Sequence, residues 1–269
     1  MKSLLSLLTF GLLAVTASPA SAADTRLFEM RVYYAAEGKL DALNARFRDH
    51  TLKLFTKHGM TNLGYFVPTK NTDNKLVYFL AYADRAARDA SWKAFGADPA
   101  WKSAQKASEV NGKLITKVES AFLTATDYAV LAEAKSYGKG VFELRTYTTE
   151  AGRLENLNAR FRDHTLKLFA KHGMTSMTYW NLAADQKGAK SSYVAENTLI
   201  YLLHHQSEDA AKASFGAFRA DPAWIAAKGA SEQKAGGSLT IKDGSKNQLF
   251  QDHPGGAPVR ESHNWRSGP

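Results

Sequence analysis

Two short alternating runs carry the side chains best able to do chemistry. Glu29, Arg31 and Tyr33 recur as Glu143, Arg145 and Tyr147. In the first run they alternate with Phe28, Met30 and Val32. Period-two alternation puts each polar trio on one face of a strand. We expect the apolar trio to lie under helices and the polar trio to face inward. An inward carboxylate and guanidinium are costly unless they pair. Paired, they can bind an anion or position a substrate carboxylate. They can equally act as a ladder that only knits two sheets together. Tyr65 and Tyr78, repeated as Tyr179 and Tyr201, are candidates for the apolar wall of a small-ligand cavity. Aromatics at regular spacing also serve plain packing.

The second set is histidine. His50 and His58 share one helical stretch, and His164 and His172 repeat them. At about 100° per residue, His58 falls near the centre of the apolar stripe and His50 on its flank. Eight residues along a helix span about 12 Å, too far for two imidazoles to share one metal ion. Each can act alone: His50 and His164 as general bases, any of the four as an axial haem ligand. The structural alternative for His58 and His172 is a cation at a helix C-terminus beside Gly59 or Gly173. Arg46, Asp49 and Lys53 recur unchanged and are expected to project away from the stripe, where they can serve an interface or pair locally. His204 and His205 stand where the first half has Ala81 and Tyr82, and read as incidental.

These residues sit on a unit written twice. Leu43 to Phe55 recurs unchanged as Leu157 to Phe169, at an offset of 114. From Asn74 onward the offset is 123, so the second copy carries nine extra residues between Trp180 and Asn197. Repetition at this scale makes each copy one structural unit. In each copy an alternating strand (Leu27 to Tyr33) precedes the histidine helix, which Gly59 ends in a left-handed cap. Strands at Met60 to Val67 and Leu76 to Tyr82 follow, then helices capped by Asp84 and by Asp98 with Pro99. A last strand spans Leu114 to Leu123; its counterpart within Ser238 to Phe250 alternates poorly. The order is βαββαβ, a ferredoxin-like unit with one bare sheet face and bare edges. The predicted fold class is α+β: two such repeats pair their sheets into one eight-stranded, pseudo-dimeric α/β barrel.

Boundaries follow from composition. Lys2 and an apolar run from Leu4 to Ala17, then Ala20 and Ala22, make residues 1–22 a signal peptide cleaved after Ala22. The repeats span 24–128 and 141–249, joined by a linker at 129–140 and followed by a loose tail at 250–269. Export to a bacterial periplasm is the expectation, with no membrane span. The +9 charge is spread along the chain and argues against nucleic acid as a partner. With no cysteine, disulfides, thiolate metal sites and thiol nucleophiles are excluded. No phosphate-binding glycine loop, His-Glu-x-x-His or Gly-x-Ser-x-Gly is present.

Phe142-Glu143-Leu144-Arg145-Thr146-Tyr147-Thr148, Gly152, Asn158 to Thr165 and Lys171-His172-Gly173-Met174, with their first-copy matches, closely resemble the NIPSNAP domain. The resemblance covers nearly all of the mature chain. It implies a dimeric α/β-barrel fold, a superfamily with cofactor-independent monooxygenases, isomerases, dye peroxidases and haem-binding chlorite dismutases. No settled reaction comes with the NIPSNAP name. The trafficking and mitophagy roles of mitochondrial members do not transfer to an exported protein. Four readings follow. The first is a barrel that binds a small, partly apolar ligand at Glu29, Arg31, Tyr33, His58, Tyr65, Tyr78 and their counterparts Glu143, Arg145, Tyr147, His172, Tyr179 and Tyr201. The second is an oxygenase- or isomerase-type enzyme in which His50 or His164 is the base and Arg31 or Arg145 steers an oxyanion. The third is haem bound by a helix histidine, and the fourth a ligand-free assembly module that forms a homo-oligomer. No resident metal is expected.

Overall fold

The computed structural model describes residues 24–129, 139–191 and 193–252. The expected signal peptide, most of the expected linker and the expected tail beyond 252 lie outside the described residues. In the first repeat β1 (Leu27–Ala35) leads into α1 (Leu40–Arg46), a π-helical turn (Phe47–Thr51) and α2 (Leu52–Lys57). Then come β2 (Thr61–Pro68), β3 (Lys75–Tyr82), α3 (Arg85–Ala97), α4 (Pro99–Ser108) and β4 (Ile115–Ala125). The second repeat runs β5 (Val141–Thr149), α5 (Leu154–Arg160), a π turn (Phe161–Thr165), α6 (Leu166–Lys171), β6 (Thr175–Leu182), β7 (Thr198–His205), α7 (Glu208–Ala220), α8 (Pro222–Lys234) and β8 (Thr240–Asp252).

The caps form as the sequence predicts. The Asp84 carboxylate accepts from the Ala87 amide, Asp98 accepts from Ala100 with Pro99 in the first turn, and Gly59 takes φ +78°. The π turns are not legible in helical spacing. In each, a threonine hydroxyl bonds a carbonyl five residues back, Thr51 to Arg46 and Thr165 to Arg160, both at 3.1 Å. β8 is a full strand with a kink: Asp243 sits at φ +58°, and the pairing with β5 shifts register between Tyr147 and Thr149. That bulge breaks the alternation and hides the strand from a period-two reading. The strand also runs through Phe250 to Asp252, into what composition marked as tail.

Eight strands close a barrel in the order β1-β3-β2-β8-β5-β7-β6-β4. Each repeat supplies four, and the seams are β2 with β8 and β4 with β6. The expected face assignment is reversed. Phe28, Met30 and Val32 point into the barrel, where they join Phe66, Phe79, Phe142, Trp180 and Phe250 in one apolar cluster drawn from both repeats. Trp180 stacks on Phe79 at 5.0 Å and meets Phe28 at 5.8 Å. An eight-stranded barrel has room for little more than its own side chains, and here they are aromatic. Glu29, Arg31 and Tyr33 instead face the helices, as do Glu143, Arg145 and Tyr147. Replacing Trp180 with Ala would open a void between the sheets. We expect a loss of about 3–5 kcal/mol in urea denaturation, against a negligible change for the exposed His50→Ala.

Candidate functional site

The site residues group into two related clusters, each between a sheet and the helices that cover it. In the first, Glu29 is fully buried. Its carboxylate accepts from Arg31 Nη1 at 2.6 Å, Arg88 Nη2 at 3.0 Å and Nε at 3.2 Å, the Tyr82 hydroxyl at 3.0 Å and Trp92 Nε1 at 3.3 Å. Arg31 also donates to the Tyr78 hydroxyl at 2.9 Å and lies 4.3 Å from the centre of the Trp92 ring. Tyr65 stacks on Tyr78 at 5.3 Å, and Tyr33 packs edge-on against Phe47. Burial works to raise the Glu29 carboxyl, but Arg31 and Arg88 outweigh it and hold it below the usual range. A carboxylate with five donors has no capacity left for a ligand.

The nine-residue insertion closes this cluster from outside. Lys190 bridges backbone to backbone with Ser120 on β4, opposite Arg31. The Gln186 side chain pairs with both backbone groups of Phe122, and Arg85 of α3 donates to the Lys187 carbonyl. Ser120, on the rim of the cluster, is buried.

The second repeat uses the same strand differently. Arg88 and Trp92 are replaced by Ala211 and Phe215, and Tyr82 by His205. Glu143 accepts from Arg145 Nη1 at 2.7 Å, Asn247 Nδ2 at 2.9 Å and the His205 Nε2 at 2.9 Å. Arg145 reaches Tyr147 and Ser245 hydroxyls, each at 3.3 Å, and lies 4.4 Å over the Phe215 ring. Tyr179 stacks on Tyr201 at 5.2 Å beneath. His205 is buried, and its Nδ1 has no hydrogen-bond partner. Burial works to raise the Tyr147 phenol, but the Arg145 guanidinium and the Tyr201 and Ser245 hydroxyls outweigh it and pull it below its ordinary value. On the β8 rim, Asn247 stands opposite Arg145 and Ser245 opposite Tyr147. Both are exposed, where the matching Ser120 of the first repeat is covered. The turn that would strap this rim, 69–74, is the shorter one.

The helix histidines do not join either cluster. His50 and His164 are exposed on the helix surface. His58 Nε2 bonds Asp98 at 2.7 Å, and Lys57 reaches the same oxygen at 2.7 Å. His172, Lys171 and Asp221 repeat this. These histidines tie the end of one helix to the N-cap aspartate of another. The set does not fit haem: His58 and His172 commit Nε2 to an aspartate, and His50 and His164 would leave the macrocycle in water. Arg46 is also not a surface residue. It is buried against Trp101 of α4, bonded to Ser108 and Glu109, because α4 packs beside α1 on that side. Asp49 pairs with its neighbour Arg48 at 2.7 Å rather than with Lys53.

His205 is the residue that sequence reasoning passed over. The signal was parity: on paired antiparallel strands Val141 stands opposite His205, so His205 shares the face of Glu143.

The NIPSNAP family profile matches residues 28–130 and 142–236, one match per repeat. The chain belongs to the NIPSNAP family. A NIPSNAP domain protein from Burkholderia xenovorans is 28 % identical over 37 % of this chain and 94 % of its own, with a TM-score of 0.33. A NIPSNAP family protein from Agrobacterium tumefaciens is 21 % identical over 38 % of this chain and 95 % of its own, with a TM-score of 0.35. Each of these relatives is therefore about one repeat long. A Fusobacterium nucleatum protein described as a candidate monooxygenase spans 86 % of this chain and 93 % of its own, at 12 % identity and a TM-score of 0.52; it shares the fold. No curated protein matches the NIPSNAP chain at significant similarity.

The aspartate clasps give a pH prediction. Hydrogen bonds from Lys57 and His58, then the Ala100 amide, hold the Asp98 carboxyl well below the carboxylate range; Lys171, His172 and Ala223 do the same at Asp221. A depressed folded pKa contributes stability that is complete above the unfolded value, about 3.9, and disappears as pH falls through the folded value. Urea midpoints of the wild type and of Asp98→Asn/Asp221→Asn should differ clearly at pH 5, where both carboxylates are ionised. The gap should shrink steadily below about pH 4.

Proposed function

We propose that this is an exported binding protein whose second repeat takes a small, partly apolar molecule bearing an acidic or carbonyl oxygen. The observation that carries the reading is the difference between two copies of one cluster. Glu29 is saturated and strapped over. Glu143 and Arg145 keep an exposed rim at Ser245 and Asn247, with Ala211 in place of the bulky Arg88. Arg145 is the group to receive the ligand's oxygen, and Phe215 and Tyr147 offer apolar surface beside it. The barrel interior is already filled by aromatic side chains, so the site belongs between sheet and helices.

A second reading rests on one feature. Glu143 orients the His205 ring through Nε2 and leaves Nδ1 without a partner. A carboxylate-held imidazole with one uncommitted nitrogen is the arrangement a general base requires. Beside Arg145, which can stabilise a developing oxyanion, it supports proton abstraction from a bound carbonyl compound. In this reading His205, not His50 or His164, is the base.

Native mass spectrometry on protein purified from its own host tests the binding proposal. The wild type should carry a reproducible added mass, one per chain. Ala211→Arg rebuilds the first repeat's Arg88 contact and should remove that mass while leaving the circular dichroism spectrum unchanged. A mass retained in Ala211→Arg, or a bare wild type that takes up nothing from a host extract, would refute the assignment.

A further inference from the structure

Outside both clusters, the repeats differ again at the helices. The first repeat turns Lys93 of α3 and Lys102 and Lys106 of α4 to solvent. The second has Gly216 of α7 and Ile225 and Gly229 of α8 at the same places, equally exposed. Around them lie Ala217, Ala226 and Ala230, also exposed. Ile225 is 58 % exposed, an apolar side chain held in water on a helix face. Charge stands at the margin, as Arg219 and as Lys228 paired with Glu232 at 3.2 Å. Lysine is depleted from the surfaces that proteins bury against one another. One repeat keeps its helix layer solvated, and the other has lost three lysines from the same layer.

This face carries both a knob and a hole. Ile225 protrudes from it. An open cleft of about 480 Å³ lies beside Gly229, whose missing side chain deepens it, with Trp224 as one wall. Knob and hole are four residues apart on one helix, about 6 Å along its axis. A two-fold axis normal to α8, midway between them, lays α8 antiparallel on the α8 of a second copy. Each Ile225 then meets the cleft at Gly229 of the other copy, a contact that closes on itself. Gly229 and Ala226 let the two backbones approach closely, and antiparallel helix dipoles attract. The size of the face sets the strength. Two helices of 13 residues each are about 20 Å long and about 10 Å apart, which gives a flat area of roughly 400 Å² per copy. A standard interface takes about 800 Å² per partner. The pairing is therefore weak and reversible.

We propose that the α7–α8 face is where two copies of this chain pair, α8 against α8, with each Ile225 seated in the other copy's cleft. The occupant is a second copy because knob and hole lie on the same face at the spacing a two-fold axis requires. The lysines of the first repeat keep the matching face of α3 and α4 out of the contact, so assembly stops at a dimer.

Sedimentation velocity of the purified protein over a concentration series tests the proposal. The wild type should pass from monomer to dimer, with a dissociation constant in the micromolar range or weaker. Ile225→Lys and Gly229→Lys each restore the first repeat's residue at an exposed position. Each should weaken the dimer at least about tenfold, because a lysine would be buried at the contact, and leave the circular dichroism spectrum unchanged. The chain has no cysteine, so a single introduced thiol reports the geometry. Ala226→Cys should give a disulfide-linked dimer on mild oxidation. Ser103→Cys, its counterpart on α4, should stay monomeric. A monomer at every concentration up to about 1 mM, a dimer equally tight in both lysine variants, or cross-linking of Ser103→Cys as readily as Ala226→Cys would overturn the proposal. So would an Ile225-dependent complex formed only with a different protein or a small molecule.

Discussion

The structure depends on a buried carboxylate–guanidinium pair at the middle of the first strand of each repeat. Glu29 with Arg31 and Glu143 with Arg145 sit on the strand to which both neighbouring strands of the half-barrel pair. Charges taken out of water at that point need every donor and acceptor nearby to answer them. In the first repeat the answer comes from Arg88, Tyr82 and Trp92, which fixes α3 over the sheet. In the second it comes from His205 and Asn247, which fixes β7 and β8 around the pair. The same pair thus organises two different surroundings.

Duplication lets one copy relax what the other preserves. The loop with the nine extra residues belongs to the second repeat yet seals the first, by pairing Lys190 with Ser120 and Gln186 with Phe122. The shorter turn of the first repeat extends no such strap over the second. The second Glu–Arg pair therefore keeps an exposed rim at Ser245 and Asn247, while the buried His205 on its other side has an Nδ1 without a partner. A parallel loosening shows at Arg160, whose carboxylate partner Glu232 stands 3.8 Å away where Glu109 bonds Arg46 at 2.8 Å. Both differences leave groups of the second half less fully paired than their counterparts in the first.

Much of this was legible in the residues. The repeat, the element order, the aspartate caps and barrel closure by paired repeats all follow from spacing and from bare sheet edges. Which face of β1 points inward did not follow. Alternation defines two faces and labels neither. The label is set by space: a narrow barrel admits aromatics, whereas Glu29 finds its donors on α3. A uniform helix places His50 and His164 on the flank of the apolar stripe, but the π turns at Phe47–Thr51 and Phe161–Thr165 break that uniformity, and both histidines lie exposed on the helix surface. Arg46 looked exposed because its cover, α4, comes from more than fifty residues further along the chain. His205 looked incidental because its partner Glu143 is 62 residues away and is brought near only by strand pairing.

The central claim is that one motif serves architecture in the first repeat and a site in the second. Equilibrium urea denaturation of Glu29→Gln and Glu143→Gln, side by side, tests it most directly. Removing the charge of Glu29 strands Arg31 and Arg88 in a closed cluster and should cost about 3–5 kcal/mol. Glu143 has fewer donors and a wet rim, so its loss should cost clearly less. Equal costs, or a larger cost at Glu143, would contradict the account.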